Sequence, residues 1–368
     1  MLSIGIVGLP NVGKSTLFNA LTRSKLANAQ NFPFCTIDPN IGVVEVPDER
    51  LEKLAKVSNS KKIVPTAIQF VDIAGLVKGA SEGQGLGNKF LSHIREVDAI
   101  VQVVREFSDS NVIHVNNKVD PQDDANTINL ELILADLQTV SKKLNNAKKD
   151  AKGAAAKDMK LTIETLEKIQ TQLEAEKFVL PQQDPAHCGA DDYFFTEDEL
   201  AIVKDLHLLT MKPMLYVVNV DEAPINHTPI LGQEGTSQIE ICAKLEAELA
   251  DLSPEEAKQY LKELGLNETG LDKLITAGYK LLKLVTFLTS GEPETRAWTV
   301  REGTKAPDAA GVIHTDFIKG FVKADVCNWQ DFIEFNGWSG IKTSGKLRLE
   351  GKDYVIKDGD TIYFHIAN

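Results

Sequence analysis

The 368-residue sequence has few cysteines and no long apolar run. Cys35, Cys188, Cys242 and Cys327 lie far apart and show no CxxC spacing, so neither a disulfide framework nor a zinc site is predicted. No apolar run approaches the roughly 18 residues that a membrane-spanning helix needs. The N-terminal stretch LSIGIVGL has no basic leader and no cleavage site, unlike a signal peptide. We therefore expect a cytoplasmic protein without a membrane partner.

An excess of basic residues is also lacking, because the formal net charge is −13. That balance argues against indiscriminate nucleic-acid binding. One segment departs from it: residues 142–160 carry seven lysines and two aspartates. Such a segment is typical of a solvated surface, but in an acidic chain it also makes RNA contact a hypothesis. With 43% hydrophobic and 25% charged residues, the chain is typical of a globular protein with two or three domains.

The first twenty residues contain a phosphate-binding pattern. Residues 8–15, GLPNVGKS, fit G-x-x-x-x-G-K-[ST], with an apolar strand pattern before them and a helical pattern after them. In such a loop the backbone N–H groups and the helix start face a phosphate, and the lysine reaches the terminal phosphates. The residues that we expect to bind the nucleotide here are Asn11, Val12, Gly13, Lys14, Ser15 and Thr16.

A hydrolysing site also needs magnesium ligands and a sensor for the γ-phosphate. The Ser15 hydroxyl is one predicted Mg²⁺ ligand. A strand pattern over residues 67–71 ends at Asp72, which we expect to face Mg²⁺ through water, and the Gly75 amide is the predicted sensor. Thr36, in the polar loop NFPFCTIDPN, is the predicted further metal-binding hydroxyl.

Two tetrapeptides are candidates for the loop that reads the nucleotide base. NKVD at 117–120 has the guanine-reading spelling, but only about ten mostly polar residues separate it from the apolar strand pattern 99–107, too few for a helical crossover. NVDE at 219–222 directly follows a buried-type apolar run. Because doubly wound sheets bind ligands at the carboxyl ends of their strands, we interpret 219–222 as the base-contacting loop and 242–244 as its partner. NKVD is then an ordinary loop.

The chemistry of 219–222 favours adenine. A guanine site uses an aspartate at the fourth position to accept two donors and a lysine stem to cover the ring, whereas Glu222 and Val220 stand at those positions. Asp221 lies one position too early to substitute. The Asn219 amide suits N6 and N7 of adenine. The residues thus indicate ATP preference, and a GTPase with a degraded base signature is the alternative.

Five stretches together resemble the YchF-type Obg-like ATPases, relatives of the Obg GTPases. They are GLPNVGKSTLFNAL, NFPFCTI, VDIAGLVKGAS, NVDE and HTDF. The likeness covers essentially the whole chain. It implies ATP preference through an N-x-x-E loop, with Asn219, the backbone of Val220, and Glu222 at the matching positions.

The resemblance also implies roles that the residues alone do not establish. Leu76 stands where many relatives carry a glutamine that orients the attacking water, so we expect slow hydrolysis without assistance. His114 is the water-positioning residue that the resemblance offers instead, although a loop histidine by itself indicates no such role. Asn11 matches the position that relatives with K⁺-stimulated hydrolysis use, which makes K⁺ a candidate cofactor beside Mg²⁺.

The predicted fold class is α/β: a P-loop NTPase doubly wound sheet with an inserted antiparallel helical pair and a C-terminal ubiquitin-like α+β domain. From about residue 286 the sequence predicts short strands around one helix, with a hairpin at Asp358-Gly359, and resembles the TGS domain of the family. The predicted segments are 1–120 and 206–285 for the nucleotide-binding domain, 121–205 for the insert and 286–368 for the TGS domain. The apolar residues that indicate the helical pair are Leu130, Ile133, Leu137, Val140, Leu144, Met159, Ile163, Leu166, Ile169 and Leu173.

The leading functional hypothesis is a monomeric, Mg²⁺-dependent ATPase that hydrolyses ATP to ADP and phosphate as a conformational switch. Its predicted catalytic residues are Lys14, Gly75 and His114. Its nucleotide state would reposition the insert and the TGS domain on the ribosome or ribosomal RNA. The alternative from another class is a nucleotide-gated binding protein with negligible turnover, in which ATP occupancy alone shifts populations. A purely structural role conflicts with the intact P-loop.

Overall fold

The structure is a computed structural model that describes residues 2–25, 40–73, 86–109, 112, 114, 118–151, 159–179, 195–222 and 237–367. No helix in these ranges is long and apolar enough to cross a membrane.

Within the described ranges the chain forms strands and helices that we number in chain order. The strands are β1 (Ser3–Val7), β2 (Ile41–Glu45), β3 (Ile63–Val64), β4 (Ala67–Asp72), β5 (Ala99–Arg105), β6 (Met214–Asn219), β7 (Gln238–Ile241), β8 (Leu284–Ser290), β9 (Thr295–Arg301), β10 (Phe321–Asn328), β11 (Arg348–Glu350) and β12 (Asp360–Ile366). The helices are α1 (Lys14–Lys25), α2 (Arg50–Ser58), α3 (Leu86–Glu96), α4 (Pro121–Asp150), α5 (Lys160–Glu174), α6 (Glu197–Lys204), α7 (Ala243–Ala250), α8 (Pro254–Glu263), α9 (Gly270–Leu281), α10 (Ala306–Ile313), α11 (Asp316–Gly320), α12 (Trp329–Glu334) and α13 (Trp338–Ser344).

The first sheet has the strand order β2-β4-β1-β5-β6-β7. The pairs β1 with β5, β5 with β6, and β6 with β7 are all parallel. Every residue of β5 is buried, as expected for a central strand of a parallel sheet that is covered on both faces. The carboxyl ends of β1, β5 and β6 therefore lie at one edge, which is where this architecture places its ligands.

The chain divides into two compact units. One comprises residues 2–20 and 70–251, and the other comprises residues 21–69 and 252–368. All the predicted site residues that the structure describes belong to the first unit.

In the first unit, the helical insert has its own apolar core. Helices α4 and α5 pack against each other, and Lys148 of α4 lies 2.7 Å from Glu167 of α5 as an ion pair. Among the apolar residues that indicated this pair, Leu130 is exposed. The other nine are buried in the core or pack against it.

A buried carboxylate fastens α4 to the segment before β6. Asp136 is fully buried, and its carboxylate accepts hydrogen bonds from the backbone N–H of Leu209 at 2.9 Å and of Thr210 at 2.8 Å. The Thr210 hydroxyl donates a further bond at 2.8 Å. Burial raises the pKa of Asp136, while these hydrogen bonds oppose the shift. Three donors thus compensate the cost of placing the carboxylate in the interior.

In the second unit, the other sheet has the order β11-β10-β12-β8-β9-β3 and buries both of its faces. One face packs on Ala306, Ala309 and Ala310 of α10, and the other packs on α2, α12 and α13. The expectation of one helix here is wrong, since α10 to α13 all lie between β9 and β12. Helices α11, α12 and α13 have only five, six and seven residues, too few to show a helical period in the sequence.

The predicted hairpin at Asp358-Gly359 is also wrong. Strand β11 pairs with β10, and β12 pairs with β10 on one side and with β8 on the other. The turn instead contacts β8: the Gly359 N–H donates to the Thr286 carbonyl at 2.8 Å, and the Thr286 N–H donates to Oδ1 of Asp358 at 2.9 Å. The turn residues thus contribute to a tertiary contact rather than to a two-strand connection.

Candidate functional site

The P-loop begins where β1 ends and closes where α1 begins. A Cβ added to Gly8 would lie 2.5 Å from the Val103 carbonyl oxygen, so the loop passes close to β5. Gly13 has φ +96°, and a Cβ added there would collide with Nδ2 of Asn219. Both positions therefore require glycine, one for a close approach and the other also for its left-handed backbone. The loop and the start of α1 form the strand-loop-helix arrangement that the sequence predicts.

Lys14 is buried, and its ammonium donates to the carbonyl oxygen of Leu9 at 2.7 Å. Burial lowers the pKa of Lys14 to about 8, while the nearby Asp72 carboxylate opposes that shift. The ammonium is thus held inside the loop in a partly desolvated place, where an approaching polyphosphate would stabilise its charged form.

Ser15 and Asp72 lie side by side, as the prediction of a shared metal site requires. Oγ of Ser15 donates to Oδ2 of Asp72 at 3.3 Å. The other carboxylate oxygen, Oδ1, is buried without a hydrogen-bond partner among the described residues. A hydroxyl next to a carboxylate with an unused buried oxygen is the hard oxygen donor set that Mg²⁺ prefers. The residues present therefore fit a magnesium ion.

The base-contacting loop predicted at 219–222 begins at the carboxyl end of β6, next to β5 in the sheet. The buried side chain of Asn219 joins two loops: its Nδ2 donates to the Val12 carbonyl oxygen at 2.9 Å, and its Oδ1 accepts from the Ala243 N–H at 3.0 Å. The P-loop, 219–222 and 242–244 are thus brought together by one amide. Each end of an amide has a second hydrogen-bonding capacity, so these contacts do not exhaust Asn219.

The three residues after Asn219 have different surroundings. The Val220 N–H donates to the Ile241 carbonyl at 3.0 Å, and the Val220 side chain packs against a core cluster beneath. Oδ2 of Asp221 accepts from the Ser108 N–H at 3.1 Å, which links this loop to the chain after β5. Glu222 forms an ion pair of 2.8 Å with Lys244, and both side chains are more than half exposed. Asp221 therefore has a fixed structural partner, whereas Glu222 is held only at the surface.

NKVD at 117–120 contributes to the start of a helix. Asp120 is the N-cap of α4, and its carboxylate accepts from the Asp123 N–H at 3.2 Å. Lys118 pairs with the same carboxylate at 2.6 Å. Asn117 lies outside the described residues. Residues 118–120 directly precede α4, as expected of a loop rather than of a strand end.

Sequence reasoning missed Arg105, which closes β5. Its side chain is buried, and its guanidinium donates to the carbonyl oxygens of Phe107 at 3.1 Å, Asp109 at 3.2 Å and Val112 at 2.9 Å. A charged residue at the end of the apolar run AIVQVV was the signal that could have found it. The N–H groups of Glu106 and Phe107 both donate to the Asn219 carbonyl oxygen, at 2.9 and 3.1 Å. The segment after β5 is thus fixed to the 219–222 loop.

The remaining predicted residues are only partly described. His114 is buried, with Nε2 2.9 Å from Oδ2 of Asp124 in the first turn of α4. Asn11 is exposed and has φ +63°, and Thr16 is exposed in the first turn of α1. Thr36 and Gly75, the further metal ligand and the γ-phosphate sensor, lie outside the described residues. The structure thus brings together Val12, Gly13, Lys14, Ser15, Asp72 and Asn219.

Two family models match the chain. The family described as "50S ribosome-binding GTPase" matches residues 3–149. The YchF-GTPase C-terminal family, described as "Protein of unknown function (DUF933)", matches residues 284–367.

Curated relatives match over nearly the whole chain. A protein of Bacillus subtilis (strain 168) named "Ribosome-binding ATPase YchF" is 52% identical over 375 residues, which cover 99% of this chain and 98% of that protein. A protein of the same name from Escherichia coli O157:H7 is 49% identical and covers 98% of each chain.

A solved structure has the same architecture. The "Structure of the Schizosaccharomyces pombe YchF GTPase" has a TM-score of 0.84 and 39% identity, and it covers 99% of this chain and 97% of the other. These names differ in the nucleotide, ATP or GTP, so they leave base preference open. The predicted fold class, an α/β P-loop sheet with a further C-terminal domain, is confirmed. The resemblance drawn from five short stretches is confirmed as well, and the chain belongs to the YchF family of P-loop nucleoside triphosphatases.

Proposed function

We propose that this protein is an Mg²⁺-dependent ATPase that hydrolyses ATP to ADP and phosphate as a conformational switch, and that it associates with the ribosome. The names of the relatives support both parts, since those proteins are named ribosome-binding ATPases. The observation that carries the enzymatic part is the grouping of a buried lysine with a hydroxyl and carboxylate pair. The Lys14 ammonium stabilises charge on the terminal phosphates, and Ser15 and Asp72 hold the metal.

The remaining site residues have the roles expected from the family. Bound Mg²⁺ would neutralise charge on the phosphate oxygens. In the proposed site Thr36 is a further metal-binding hydroxyl, the Gly75 amide senses the γ-phosphate and His114 positions the attacking water. Asn11, Val12, Gly13 and Thr16 complete the phosphate cradle. A further part of the proposal is K⁺ at Asn11, and stimulation of hydrolysis by KCl but not by NaCl is its test.

ATP preference is proposed to arise from Asn219, Val220 and Glu222. Asp221, the residue closest to the missing guanine-reading aspartate, has its carboxylate bonded to the Ser108 N–H. Glu222 is paired with Lys244 instead. A carboxylate directed at two guanine donors is therefore not supplied by either residue in this arrangement, and a site without it loses its preference for guanine.

Competitive binding of ATP against GTP in the presence of Mg²⁺ tests this preference. We expect ATP to bind more tightly, and the combined change Val220→Lys and Glu222→Asp to shift the ratio toward GTP. The matched control is Lys118→Val with Asp120→Asn, which alters NKVD but keeps a capping side chain on α4. If the ratio of ATP to GTP affinity shifts in the control protein but not in the first variant, the base-contacting loop is 117–120 and not 219–222.

The competing function is a nucleotide-gated binding protein whose turnover is incidental. Leu76, where a water-orienting glutamine stands in many relatives, favours it. Single-turnover hydrolysis with and without ribosomes separates the two. Strong stimulation by ribosomes supports the switch, whereas an unchanged rate with nucleotide-dependent association supports the binding protein.

The proposed ribosome contacts are the helical insert and the C-terminal domain. In the insert, four of the described lysines in residues 142–160 lie on α4, and one more begins α5: Lys142, Lys143, Lys148, Lys149 and Lys160. Lys148 is paired with Glu167, and Lys160 with Glu164, so part of this charge is already compensated. Charge reversal at Lys142 and Lys143 should weaken ribosome association and make that association less dependent on salt concentration.

The proposed domain map follows the sequence: 1–120 and 206–285 bind the nucleotide, 121–205 form the antiparallel helical insert, and 286–368 form a ubiquitin-like TGS domain. We further propose a cytoplasmic monomer. Sedimentation of the full chain at micromolar concentration tests the last point.

A further inference from the structure

The first three residues after β5 are bonded to the proposed base-contacting loop. The N–H groups of Glu106 and Phe107 both donate to the Asn219 carbonyl oxygen, at 2.9 and 3.1 Å. The N–H of the following residue, Ser108, donates to Oδ2 of Asp221 at 3.1 Å. The conformation of the loop at the end of β6 therefore depends on where this segment lies.

Arg105, the last residue of β5, holds the same segment. It is only 2% exposed. Each of its three guanidinium nitrogens donates to a different carbonyl oxygen, those of Phe107 at 3.1 Å, Asp109 at 3.2 Å and Val112 at 2.9 Å. The guanidinium carbon also lies 4.2 Å from the centre of the Phe107 ring, which is a cation–π contact. A planar group with donors in a fixed arrangement thus sets the path of the chain after β5.

Phe107 is the residue at which the two sets of contacts meet. Its N–H is bonded to Asn219, while its carbonyl oxygen and its ring contact Arg105. Carbonyl oxygens in the interior that lose a charged donor are costly to leave unpaired. Glu106 and Asp109 have further interactions, so we expect loss of Arg105 to loosen the segment in part rather than to release it.

The phosphate end of the proposed site is built on other elements. The Lys14 ammonium binds the Leu9 carbonyl oxygen within the P-loop. Ser15, at the start of α1, donates to Asp72, at the end of β4. These contacts do not involve the chain after β5. A change at Arg105 should therefore affect the base end of the site more than the phosphate end.

We propose that Arg105 is a positioning residue for the purine, because it fixes the chain after β5 and that chain holds the 219–222 loop in the conformation that receives the base. The inference rests on the proposed placement of the base at 219–222. Arg105 acts through the backbone of its neighbours and has no contact with the nucleotide in this role.

The test compares binding of ATP with binding of inorganic tripolyphosphate, which has the phosphates but no base, both in the presence of Mg²⁺. Arg105→Met should weaken ATP binding on the order of tenfold, because the segment beside the loop loses hydrogen bonds from a charged donor. Tripolyphosphate binding, measured by displacement of labelled ATP, should stay unchanged. The single-turnover rate constant at saturating ATP should also stay unchanged, since the groups at the reacting phosphate keep their places.

Arg296→Met is the matched control. The guanidinium carbon of Arg296 likewise lies over an aromatic ring, 4.1 Å from the centre of Trp298, but Arg296 belongs to the second unit. Its removal should leave both affinities unchanged. Arg105→Lys retains the charge and part of the donor capacity, so it should lose less ATP affinity than Arg105→Met. If the methionine variant folds poorly, the lysine variant allows the same comparison of ATP with tripolyphosphate.

A double-mutant cycle tests the path through the segment. Asp221→Ala removes the acceptor of the Ser108 N–H and so loosens the same segment from the side of the loop. The losses of ATP binding free energy in Arg105→Met and Asp221→Ala should therefore sum to more than the loss in the double variant. Additive losses would show that the two residues act separately and would overturn the path from Arg105 to the loop.

The remaining outcomes separate the role of Arg105 from the placement of the base. An equal loss of ATP and tripolyphosphate affinity in Arg105→Met overturns the role of Arg105, as does an unchanged ATP affinity, and both results leave the base at 219–222. If the combined change Val220→Lys and Glu222→Asp leaves the ratio of ATP to GTP affinity unchanged, the placement of the base fails, and the role of Arg105 fails with it.

Discussion

Asn219 donates a hydrogen bond from Nδ2 to the carbonyl oxygen of Val12, 2.9 Å away, across 207 residues of chain. The same side chain accepts from the Ala243 N–H. The phosphate cradle and the proposed base-contacting loop therefore share one buried amide. Loss of this side chain should disturb both ends of the nucleotide site.

We expect Asn219→Ala to weaken binding of every purine triphosphate by about 1–3 kcal/mol, because two buried hydrogen bonds are lost and their partners stay unsatisfied. Isothermal titration with ATP and with GTP measures the effect. Asn219→Asp retains the acceptor for the Ala243 N–H but places a carboxylate oxygen against the Val12 carbonyl oxygen, so its loss should be at least as large as that of the alanine variant. Equal affinities in all three proteins would show that the amide bridge has no part in binding.

Substitution of Gly13 should have a larger effect than substitution of other glycines with positive φ. At Gly13 an added methyl group meets the Asn219 amide, whereas at Gly303, with φ +85°, nothing lies within 4 Å. Gly13→Ala should therefore reduce ATP affinity on the order of 100-fold or more. Gly303→Ala should only lower the melting temperature slightly, through backbone strain. Equal and small effects at the two positions would contradict the close approach of the P-loop to β6.

ATP affinity should depend on pH in the alkaline range. The pKa of Lys14 is lowered to about 8 by burial, so the free protein loses the Lys14 proton as pH rises through 8. Phosphate binding favours the protonated amine, and binding above pH 8 then requires proton uptake. Affinity should fall by up to about tenfold per pH unit above 8 and should not change below it through this group.

The matched control for this pH dependence is Lys14→Arg, whose guanidinium stays protonated throughout the range. Its affinity should be lower at every pH for steric reasons, yet its affinity should not change with pH above 8. A slope that persists in this variant would assign the titration to another group.

Asp136 should contribute strongly to the stability of the insert. Asp136→Ala leaves two backbone N–H groups and the Thr210 hydroxyl without their acceptor in the interior. We expect the free energy of unfolding to fall by about 2–4 kcal/mol, measured by urea denaturation of the full chain. Thr210→Val removes the hydroxyl donor to Asp136 and a long, 3.5 Å acceptor contact for the Val179 N–H, and it should cost less because both backbone N–H groups keep their acceptor. An equal loss in both variants would contradict the backbone contribution.

The sequence allowed the P-loop, the strand before Asp72 and the strand before Asn219 to be predicted because each is a short apolar run ending at polar residues with a known chemistry. NKVD is predicted to be a loop because too few residues separate it from the preceding strand for a parallel crossover, and because NVDE directly follows a buried strand pattern. In the structure, Asp120 of this tetrapeptide is the N-cap of α4, which explains an aspartate at that position.

The contacts of Arg105, Asp136 and Asp221 were not predictable from the sequence. Asp221 meets Ser108 because β5 and β6 are neighbours in the sheet, although 113 residues separate the two in the chain. Asp136 likewise reaches Thr210 across 74 residues. The sequence around Asp136 and Asp221 does not indicate partners so far away in the chain. In the C-terminal unit, helices of five to seven residues escaped the periodicity on which the prediction depended.

The N-cap at Asp120 has a practical consequence for protein engineering. Because NKVD matches the guanine-reading motif, an attempt to change nucleotide preference would naturally substitute Lys118 and Asp120. It would instead remove a cap worth about 1 kcal/mol from a 30-residue helix, and the resulting loss of function would imitate a damaged guanine reader. Thermal unfolding without any nucleotide would expose the mistake, because a weakened helix melts earlier whether or not a purine is present.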